Sequence, residues 1–325
     1  MTSHQVLKVM SKCKSQKMNK MTFVVIVMLA VQLAFVAAQE NWLDLEHSIK
    51  GKFSQHDWPD VCGTGNKQSP IELNEAYTIP LTTELHIVND SMEQPHLALL
   101  YNGYVVIMHN FTHRIWLSGR KEFRDLGYVA EQIHFHCGAE HLLERERHDM
   151  EVQIVFRNES AASLKEALNQ TKGLVIVSIV FAVSNVPSRA IAAIVDTLRG
   201  QSIVDEATWR VNEMNSIFLM RELYGEIGAC YQYHGSSTVP ECIENVEWIV
   251  KSSVQSLSRD QMDTLCNVGE GSSLARAHMS YRQLQNSNSR RVFYFKESHA
   301  NNIRVFWTRA RFIYIFLYGA TVLYS

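Results

Sequence analysis

Short segments with alternating apolar and polar residues fill most of the chain, and a two-residue period is typical of strands with one buried face. The pattern predicts strands in HLALLYNGYVVIMHN, EQIHFHCG, MEVQIVF, CYQYHGSST and VEWIVKS. The continuous apolar run GLVIVSIVFAV predicts a strand that is buried on both faces. Asn102-Gly103, inside the first of these segments, predicts a hairpin turn.

Two further segments have helical spacing. PSRAIAAIVDTLRG ends with Gly200 as the expected C-cap, and SRDQMDTLCNV starts with Ser258 as N-cap and has Gln261 at the capping-box position. No repeat, low-complexity linker or Ser/Gly-rich break divides the chain. The pattern therefore predicts a mainly β (α+β) single domain, mostly antiparallel, with a few peripheral helices.

Both ends of the chain differ from this pattern. Residues 1–38 have a lysine-rich start, an apolar run and small residues before Gln39, which predicts a cleaved signal peptide; the alternative is an uncleaved anchor. Residues 39–51 form a lead-in. The tail 297–325 contains FIYIFLYGATVLYS, which is short for a membrane span of about 20 residues. It is open whether this tail is a GPI-attachment signal, a packed segment or a misplaced gene end. Membrane association is thus expected only through the termini.

Cysteines and glycosylation sequons agree with the secretory route to the cell exterior or the outer face of the plasma membrane. Cleavage would leave an odd number of cysteines, namely Cys62, Cys137, Cys230, Cys242 and Cys266. Cys137 lies on the opposite strand face from His136, so we expect a packed free thiol there, and a Cys230–Cys266 pair is left open. Four sequons, at Asn89, Asn110, Asn158 and Asn169, predict a glycoprotein.

Composition excludes one class of partner. Apolar residues make up 46% of the chain, charged residues 20%, and the formal net charge is -2. Because the chain has no basic stripe with interleaved aromatic residues, we expect no nucleic-acid binding.

The candidate chemistry lies in QIHFHCGAEHLLERERHDMEVQIVF. His134 and His136 are two residues apart on a predicted strand, so both imidazoles lie on one face and can converge on a zinc ion. A catalytic zinc site normally has three protein ligands and one open position. The third place on the returning strand holds Gln153, whose neutral amide oxygen is a poorer zinc ligand than imidazole.

Several motifs in register resemble one family. KQSPIEL, QIHFHCG, AEHLL, MEVQIVF, GLVIVSI, YHGSSTVPEC and VEWIV occur in the order found in α-carbonic anhydrases. The resemblance implies one domain over residues 52–296, built around a large, twisted, mostly antiparallel central sheet. It also implies a zinc cofactor and the reversible hydration of CO2 to bicarbonate.

The resemblance implies a role for each matching residue. His134 and His136 correspond to the first two zinc ligands, and Gln132 to the residue that orients the first. Glu151 corresponds to the acid that orients the third ligand. The remaining correspondences are Glu140 and Thr238 for the catalytic pair that fixes the proton of the attacking hydroxide, His141 for a structural histidine, Val155, Ile176, Val246 and Trp248 for the CO2 pocket, and Cys62 with Cys242 for a disulfide.

The chain departs from the family pattern at several positions. Gln153 replaces the third histidine, the segment from His136 to Glu140 is shorter, and Ser237 replaces a leucine of the pocket. Tyr104 takes the place of the proton-shuttling histidine, and a phenol with a pKa near 10 cannot shuttle protons at neutral pH.

Two functions remain open. EHLL followed by EVQ is similar to the branch of carbonic-anhydrase-related proteins X and XI, although that branch also lacks the first ligand and this chain keeps His134. This similarity predicts a secreted or cell-surface protein with little or no hydratase activity and a protein partner. The alternative is a zinc-dependent carbonic anhydrase, acting on CO2 and bicarbonate, with a weakened metal site of two histidines and Gln153.

Overall fold

The structure is a computed structural model, and it describes part of the chain. The described residues are 58–82, 86–89, 98–101, 106–109, 114–118, 127–199, 208–210, 223, 227–268 and 280–296. The predicted signal peptide, lead-in and apolar tail lie outside these ranges, as do Tyr104 and Asn110.

Strands dominate the described chain. They are β1 (Glu72–Leu73), β2 (Ile79–Leu81), β3 (His86–Asn89), β4 (Ala98–Tyr101), β5 (Val106–His109), β6 (Arg114–Ser118), β7 (Tyr128–Cys137), β8 (Leu142–Leu143), β9 (Met150–Asn158), β10 (Leu174–Ser184), β11 (Thr208–Arg210), β12 (Cys230–Gly235), β13 (Val246–Lys251), β14 (Gln255–Ser258) and β15 (Phe293–Phe295). The helices are α1 (Asp60–Thr64), α2 (Leu164–Leu168), α3 (Arg189–Leu198) and α4 (Arg259–Cys266), with a 3-10 turn at Glu75–Tyr77.

Thirteen of the described strands form one sheet. Its main path runs β11-β4-β5-β7-β9-β10-β13-β12-β15-β2, with β14 beside β10 and β6 joining β3 to β7. Most neighbours are antiparallel, but β10 pairs in parallel with β13 and β14, and β15 with β2. The predicted mainly β, mostly antiparallel fold is therefore confirmed, with a mixed sheet on one side of β10.

The strand predictions agree with the register. β4 and β5 pair antiparallel as the hairpin requires, with Leu99 opposite Met108, while the Asn102-Gly103 turn itself lies outside the described residues. On β10, Val175, Val177 and Ile179 belong to one buried apolar cluster. The alternate residues Leu174, Ile176 and Val180 belong to a second cluster. Because successive side chains point to opposite faces, the continuous apolar run reflects burial on both sides.

Two of the helices were predicted. The Ser258 side chain accepts a hydrogen bond from the Gln261 N–H, and the Gln261 side chain accepts one from the Ser258 N–H, so α4 begins with the expected capping box. Helix α3 ends at Leu198 with Arg199 as C-cap, whereas Gly200 lies outside the described residues. Among the helices that the structure describes, none combines the length and apolarity needed to span a bilayer.

The disulfides confirm one pairing and correct one prediction. Cys62 and Cys242 are bonded across a separation of 180 residues. Cys137 is not a free thiol, because it is bonded to Cys266 at the end of α4. The strand-face rule placed Cys137 away from His136 correctly, but it could not show which element covers that face. The open Cys230–Cys266 pair is excluded, and Cys230 is buried and belongs to neither disulfide.

The two sequons with described side chains differ in exposure. Asn158 is buried at 6% exposure, and its Oδ1 accepts hydrogen bonds from the Ser160 N–H and hydroxyl. Asn169 is exposed and caps α2. Asn169 is therefore the more accessible of these two acceptors for a glycan.

Candidate functional site

The candidate metal site lies on two paired central strands. In the antiparallel register of β7 and β9, His134 is opposite Gln153 and His136 is opposite Glu151. Residues directly opposite each other on one sheet face have Cβ atoms about 4.5–5.5 Å apart. The structure therefore places Gln153 beside His134, where the sequence pattern expects the third ligand.

His136 has the environment of a metal ligand. Its Nδ1 lies 2.6 Å from the carbonyl oxygen of Ser280, so Nδ1–H donates and Nε2 keeps its lone pair. Nε2 is buried and has no hydrogen-bond partner, the one such side-chain nitrogen or oxygen in the part of the chain described. A backbone carbonyl that fixes the tautomer of a histidine is a common arrangement behind a metal ligand.

His134 is held through its other ring nitrogen, which leaves Nδ1 as the nitrogen that could bind a metal. Its Nε2 lies 2.6 Å from the Gln132 side-chain oxygen, and its ring centre lies 6.1 Å from that of His136. The ring is partly buried, and its loss of contact with water, with a smaller effect of the nearby His136, lowers the pKa of His134 below its usual value. The imidazole is thus neutral near pH 7, which is the form that binds metals.

Gln153 is held by two carboxylates. Its Nε2 donates to Glu140 Oε2 at 2.7 Å and to Glu151 Oε1 at 2.9 Å, and the residue is only 1% exposed. Both amide N–H groups are therefore used. The side-chain carbonyl oxygen is the one atom of this amide left to act as a ligand.

Glu151 is the centre of a buried hydrogen-bond network. Besides Gln153, it accepts from the His141 N–H at 2.8 Å, from His141 Nδ1 at 2.9 Å and from the Ser178 hydroxyl at 2.7 Å. Burial alone would raise the pKa of Glu151, but the charge and hydrogen bonds of His141, together with the Ser178 bond, lower it to about 2. Glu151 is therefore ionised at neutral pH.

His141 connects this network to the far side of the core. Its Nε2 lies 2.7 Å from the Tyr233 hydroxyl, which donates to the Ser69 hydroxyl at 2.9 Å. Burial raises the pKa of Tyr233 well above its usual value. The Trp248 ring packs edge-on against His141 at 4.8 Å between ring centres. His141 is buried and fully engaged, as expected for a structural residue.

Glu140 is not engaged with its expected partner. Its Oε1 accepts from the backbone N–H of Arg282 at 2.8 Å, and its Oε2 accepts from Gln153. Thr238 is also buried, but no hydrogen bond joins it to Glu140 within the described residues. The Gln153 amide thus takes a hydrogen-bonding position on the Glu140 carboxylate that the catalytic pair would need.

The residues assigned to the CO2 pocket lie together. Ile176 is opposite Val155 on β9 and opposite Trp248 on β13, and all belong with Val246 to one buried apolar cluster. Trp248 donates its indole N–H to the Ser236 carbonyl, which anchors the loop that carries Thr238. An apolar wall therefore remains next to the candidate metal site.

Sequence reasoning missed several supporting residues. Ser178, Ser280 and Arg282 hold Glu151, His136 and Glu140 respectively. Ser280 and Arg282 are more than 140 residues distant from their partners. No local spacing could identify them. The position of Ser178 opposite Gln153 follows once the strand register is known.

The residues present fit a zinc ion only in part. No group of three or more His, Cys, Asp or Glu side chains converges on one point among the residues that the structure describes. The unpartnered Nε2 of His136 and the neutral His134 fit two ligand positions. Gln153 can offer an amide oxygen in the third, which gives a weaker donor set than three imidazoles.

The fold is shared with solved proteins. A crystal structure of dioscorin complexed with ascorbate aligns with a TM-score of 0.59 and 24% identity, over 77% of this chain and 94% of that one. At this identity the match establishes the fold.

Curated relatives extend the comparison to the sequence. Bovine (Bos taurus) carbonic anhydrase 6 is 28% identical over 272 residues, which are 78% of this chain and 80% of that protein. Dioscorin DB3S from Dioscorea polystachya is 27% identical over 259 residues, or 79% and 83% of the two chains. The similarity to the branch of related proteins X and XI stays a prediction.

The family model for eukaryotic-type carbonic anhydrases matches residues 52–296. This range contains the central sheet, both histidines, the buried acid network and both disulfides. The chain therefore belongs to the eukaryotic-type carbonic anhydrase family.

Proposed function

We propose that this protein is a secreted or cell-surface member of the carbonic anhydrase family with little or no CO2 hydratase activity, acting through binding to a protein partner. The observation that carries the proposal is the double hydrogen bond from Gln153 Nε2 to Glu140 and Glu151. Gln153 alone therefore accounts for two departures from a working zinc site. The third imidazole is absent, and Glu140 is diverted from Thr238.

Each loss has its own chemical effect. When bound, zinc would activate water and polarise the substrate. A weaker third donor binds the ion less tightly and positions it less rigidly. Thr238 needs a fixed acceptor to orient its hydroxyl, and Glu140 gives its two oxygens to Gln153 and to the Arg282 N–H. Restoring the metal alone would therefore not restore the orientation of Thr238.

Several features support a location outside the cell. The Cys62–Cys242 and Cys137–Cys266 disulfides suit an oxidising compartment. The signal-peptide pattern of residues 1–38 and the exposed acceptor Asn169 point the same way. Whether the mature protein is released or held at the plasma membrane is tested by its recovery from medium and from intact cells.

The catalytic part of the proposal is tested by CO2 hydration. We expect the purified secreted protein, supplemented with zinc, to give rates at the uncatalysed background in a stopped-flow assay. Bovine carbonic anhydrase 6, a relative that carries the family name, serves as the positive control. Turnover well above background that a sulfonamide inhibits would overturn the proposal.

The binding part needs a separate experiment. Labelled protein should bind intact cells saturably, and the binding should be lost when the cells are treated with protease. Binding that survives protease, or that never saturates, would contradict a protein partner and leave the hydration result unchanged.

A weakened zinc enzyme is the second candidate, and the unpartnered Nε2 of His136 favours it. A buried nitrogen without a partner is costly unless something binds it. On this alternative, equilibrium dialysis finds about one zinc per chain at micromolar free metal, and His136→Ala removes it. Absence of stoichiometric zinc under these conditions would eliminate the alternative.

A further inference from the structure

A second cleft lies away from the candidate metal site. It has a volume of about 580 Å³, within the range of roughly 300–1,000 Å³ that is usual for small-molecule sites. Its lining comes from Glu72 on β1, Asn74 and Tyr77 around the 3-10 turn, Arg145 after β8, and the segment 284–292 before β15. None of the candidate metal-site residues lines it.

The cleft has fixed walls. Glu144 Oε1 accepts from the Glu75 N–H at 2.9 Å and from the Tyr231 hydroxyl at 2.7 Å, which ties the 144–145 turn to the 3-10 turn. The Gln285 N–H donates to the Pro70 carbonyl at 2.8 Å. Such long-range bonds mean that the cleft does not depend on one loop alone.

The Arg290 guanidinium is hydrogen-bonded within the wall of the cleft, so its charge is not free for a ligand. Its guanidinium donates to the backbone carbonyls of Gln68, His234, Ser287 and Asn286. With its N–H groups directed at carbonyls, Arg290 is poorly placed to hold an anionic ligand. It fixes the shape of the segment 286–290 instead.

Backbone strain is concentrated on both rims. Glu144 and Arg145 have φ of 51° and 70°, and Asn288 and Ser289 have φ of 48° and 58°. These are four of the six non-glycine residues with positive φ in the described chain. Consecutive residues in this left-handed region are costly and persist where the surrounding structure holds them, often at ligand-binding sites.

The groups in the cleft that a ligand can reach are polar side chains, one pair of opposite charges and one aromatic ring. Tyr77 is 76% exposed. Arg145 and Glu72 are both exposed and form only a loose ion pair at 3.7 Å. The hydroxyls of Ser287 and Ser289 add groups that can both donate and accept.

We propose that this cleft binds a neutral oligosaccharide. A sugar ring presents an apolar C–H face, which can stack on Tyr77, and hydroxyls at its edge, which can accept from Arg145 and donate to Glu72. A strongly anionic ligand would meet the Glu72 carboxylate, and a cationic one would meet Arg145. An uncharged, hydroxyl-rich ligand can form hydrogen bonds with both Glu72 and Arg145.

The test uses the full secreted chain and defined probes. Chitotetraose, cellotetraose and maltotetraose are titrated by calorimetry, with a heparin tetrasaccharide as the anionic comparison. We expect saturable binding of at least one neutral probe. Tyr77→Ala should weaken it by roughly tenfold or more, and Tyr77→Phe should retain it because the ring remains.

Controls separate binding from folding. Val186 is also exposed, at 63%, in the segment between β10 and α3, so Val186→Ala should leave the affinity unchanged. Equal thermal midpoints of all variants establish that they are folded. Absence of saturable binding of every neutral probe, or binding of heparin alone with sensitivity to Arg145→Ala but not to Tyr77→Ala, would overturn the proposal. Neither result bears on the CO2 assay, so the two proposals fail separately.

Discussion

At the third ligand position, an amide and an imidazole differ in how many N–H groups they can offer. Gln153 gives two, one to Glu140 and one to Glu151. An imidazole that binds a metal through one nitrogen keeps a single N–H for the two acids. Changing this residue therefore alters both the ligand set and the partner of Glu140.

Gln153→His should raise zinc affinity by roughly tenfold or more. Mutation of residues that only support a metal ligand can change the affinity on this scale. The new imidazole supplies the missing donor, and its remaining N–H can still reach Glu151. Competition with a chelator measures the affinity, and Gln255→His on β14 is the matched control. Unchanged zinc affinity would mean that position 153 does not face the two histidines.

Acid stability should report on Glu151. Its folded-state pKa of about 2 lies below the usual value near 4.5, so its stabilisation is complete above about pH 4.5 and is lost as the pH falls towards 2. The contribution is on the order of 3 kcal/mol. His141 is the titratable group hydrogen-bonded to Glu151, and Glu140 lies on the other side of the Gln153 amide.

Glu151→Gln should therefore be less stable than the parent near pH 7, and it should lose less stability between pH 4.5 and 2. Urea unfolding at a series of pH values measures the two curves. If the stabilities of parent and variant fall in parallel between pH 4.5 and 2, Glu151 does not titrate with a lowered pKa in the folded protein.

At the scale of elements, α3 and α4 depend on one glutamine. Gln261 completes the capping box of α4, accepts from the Ser188 N–H at 2.7 Å and donates to the Ser188 carbonyl at 2.8 Å. Ser188 is the N-cap of α3. The sequence indicated the capping box, but the link to the second helix arises only when the two helices pack together.

Gln261→Ala should consequently destabilise the protein more than Ser258→Ala. The serine change removes one cap, worth about 1 kcal/mol. The glutamine change also leaves the polar backbone groups of a buried Ser188 unsatisfied, adding about 1–3 kcal/mol. Chemical denaturation compares the variants, with Gln255→Ala as control. Equal losses for Gln261→Ala and Ser258→Ala would contradict a shared role.

At the scale of the whole molecule, two disulfides connect segments that are far apart in sequence. Each closes a loop that a chain-entropy model values at about 5 kcal/mol, an upper figure in practice. The Cys137–Cys266 bond also joins the strand that carries His136 to the end of α4. This second bond supports the candidate site directly.

Replacing Cys137 and Cys266 together by alanine should lower the free energy of unfolding by several kcal/mol. Cys230→Ala serves as the matched control, because Cys230 belongs to neither disulfide. Non-reducing peptide mapping of the parent should recover the Cys62–Cys242 and Cys137–Cys266 pairs. Recovery of a Cys230–Cys266 peptide would contradict the pairing.

Features that depend on local periodicity were already fixed by the order of residues along the chain. Alternation placed the strands, and a two-residue spacing placed His134 and His136 on one face of β7. The Ser258 cap was readable for the same reason, since both of its partners lie within one turn. The identity of Gln153 was also visible, and with it the weaker donor at the third ligand position.

The contacts that these residues make depend on how distant parts of the chain pack together. Ser280 supports His136, and Arg282 supports Glu140, from more than 140 residues away. The partner of Cys137 and the diversion of Glu140 to Gln153 depend on strand register and helix packing, which fix distances between residues remote in sequence. Periodicity specifies which face a side chain takes, whereas the side chain that it meets there is set by how the whole chain closes around the sheet.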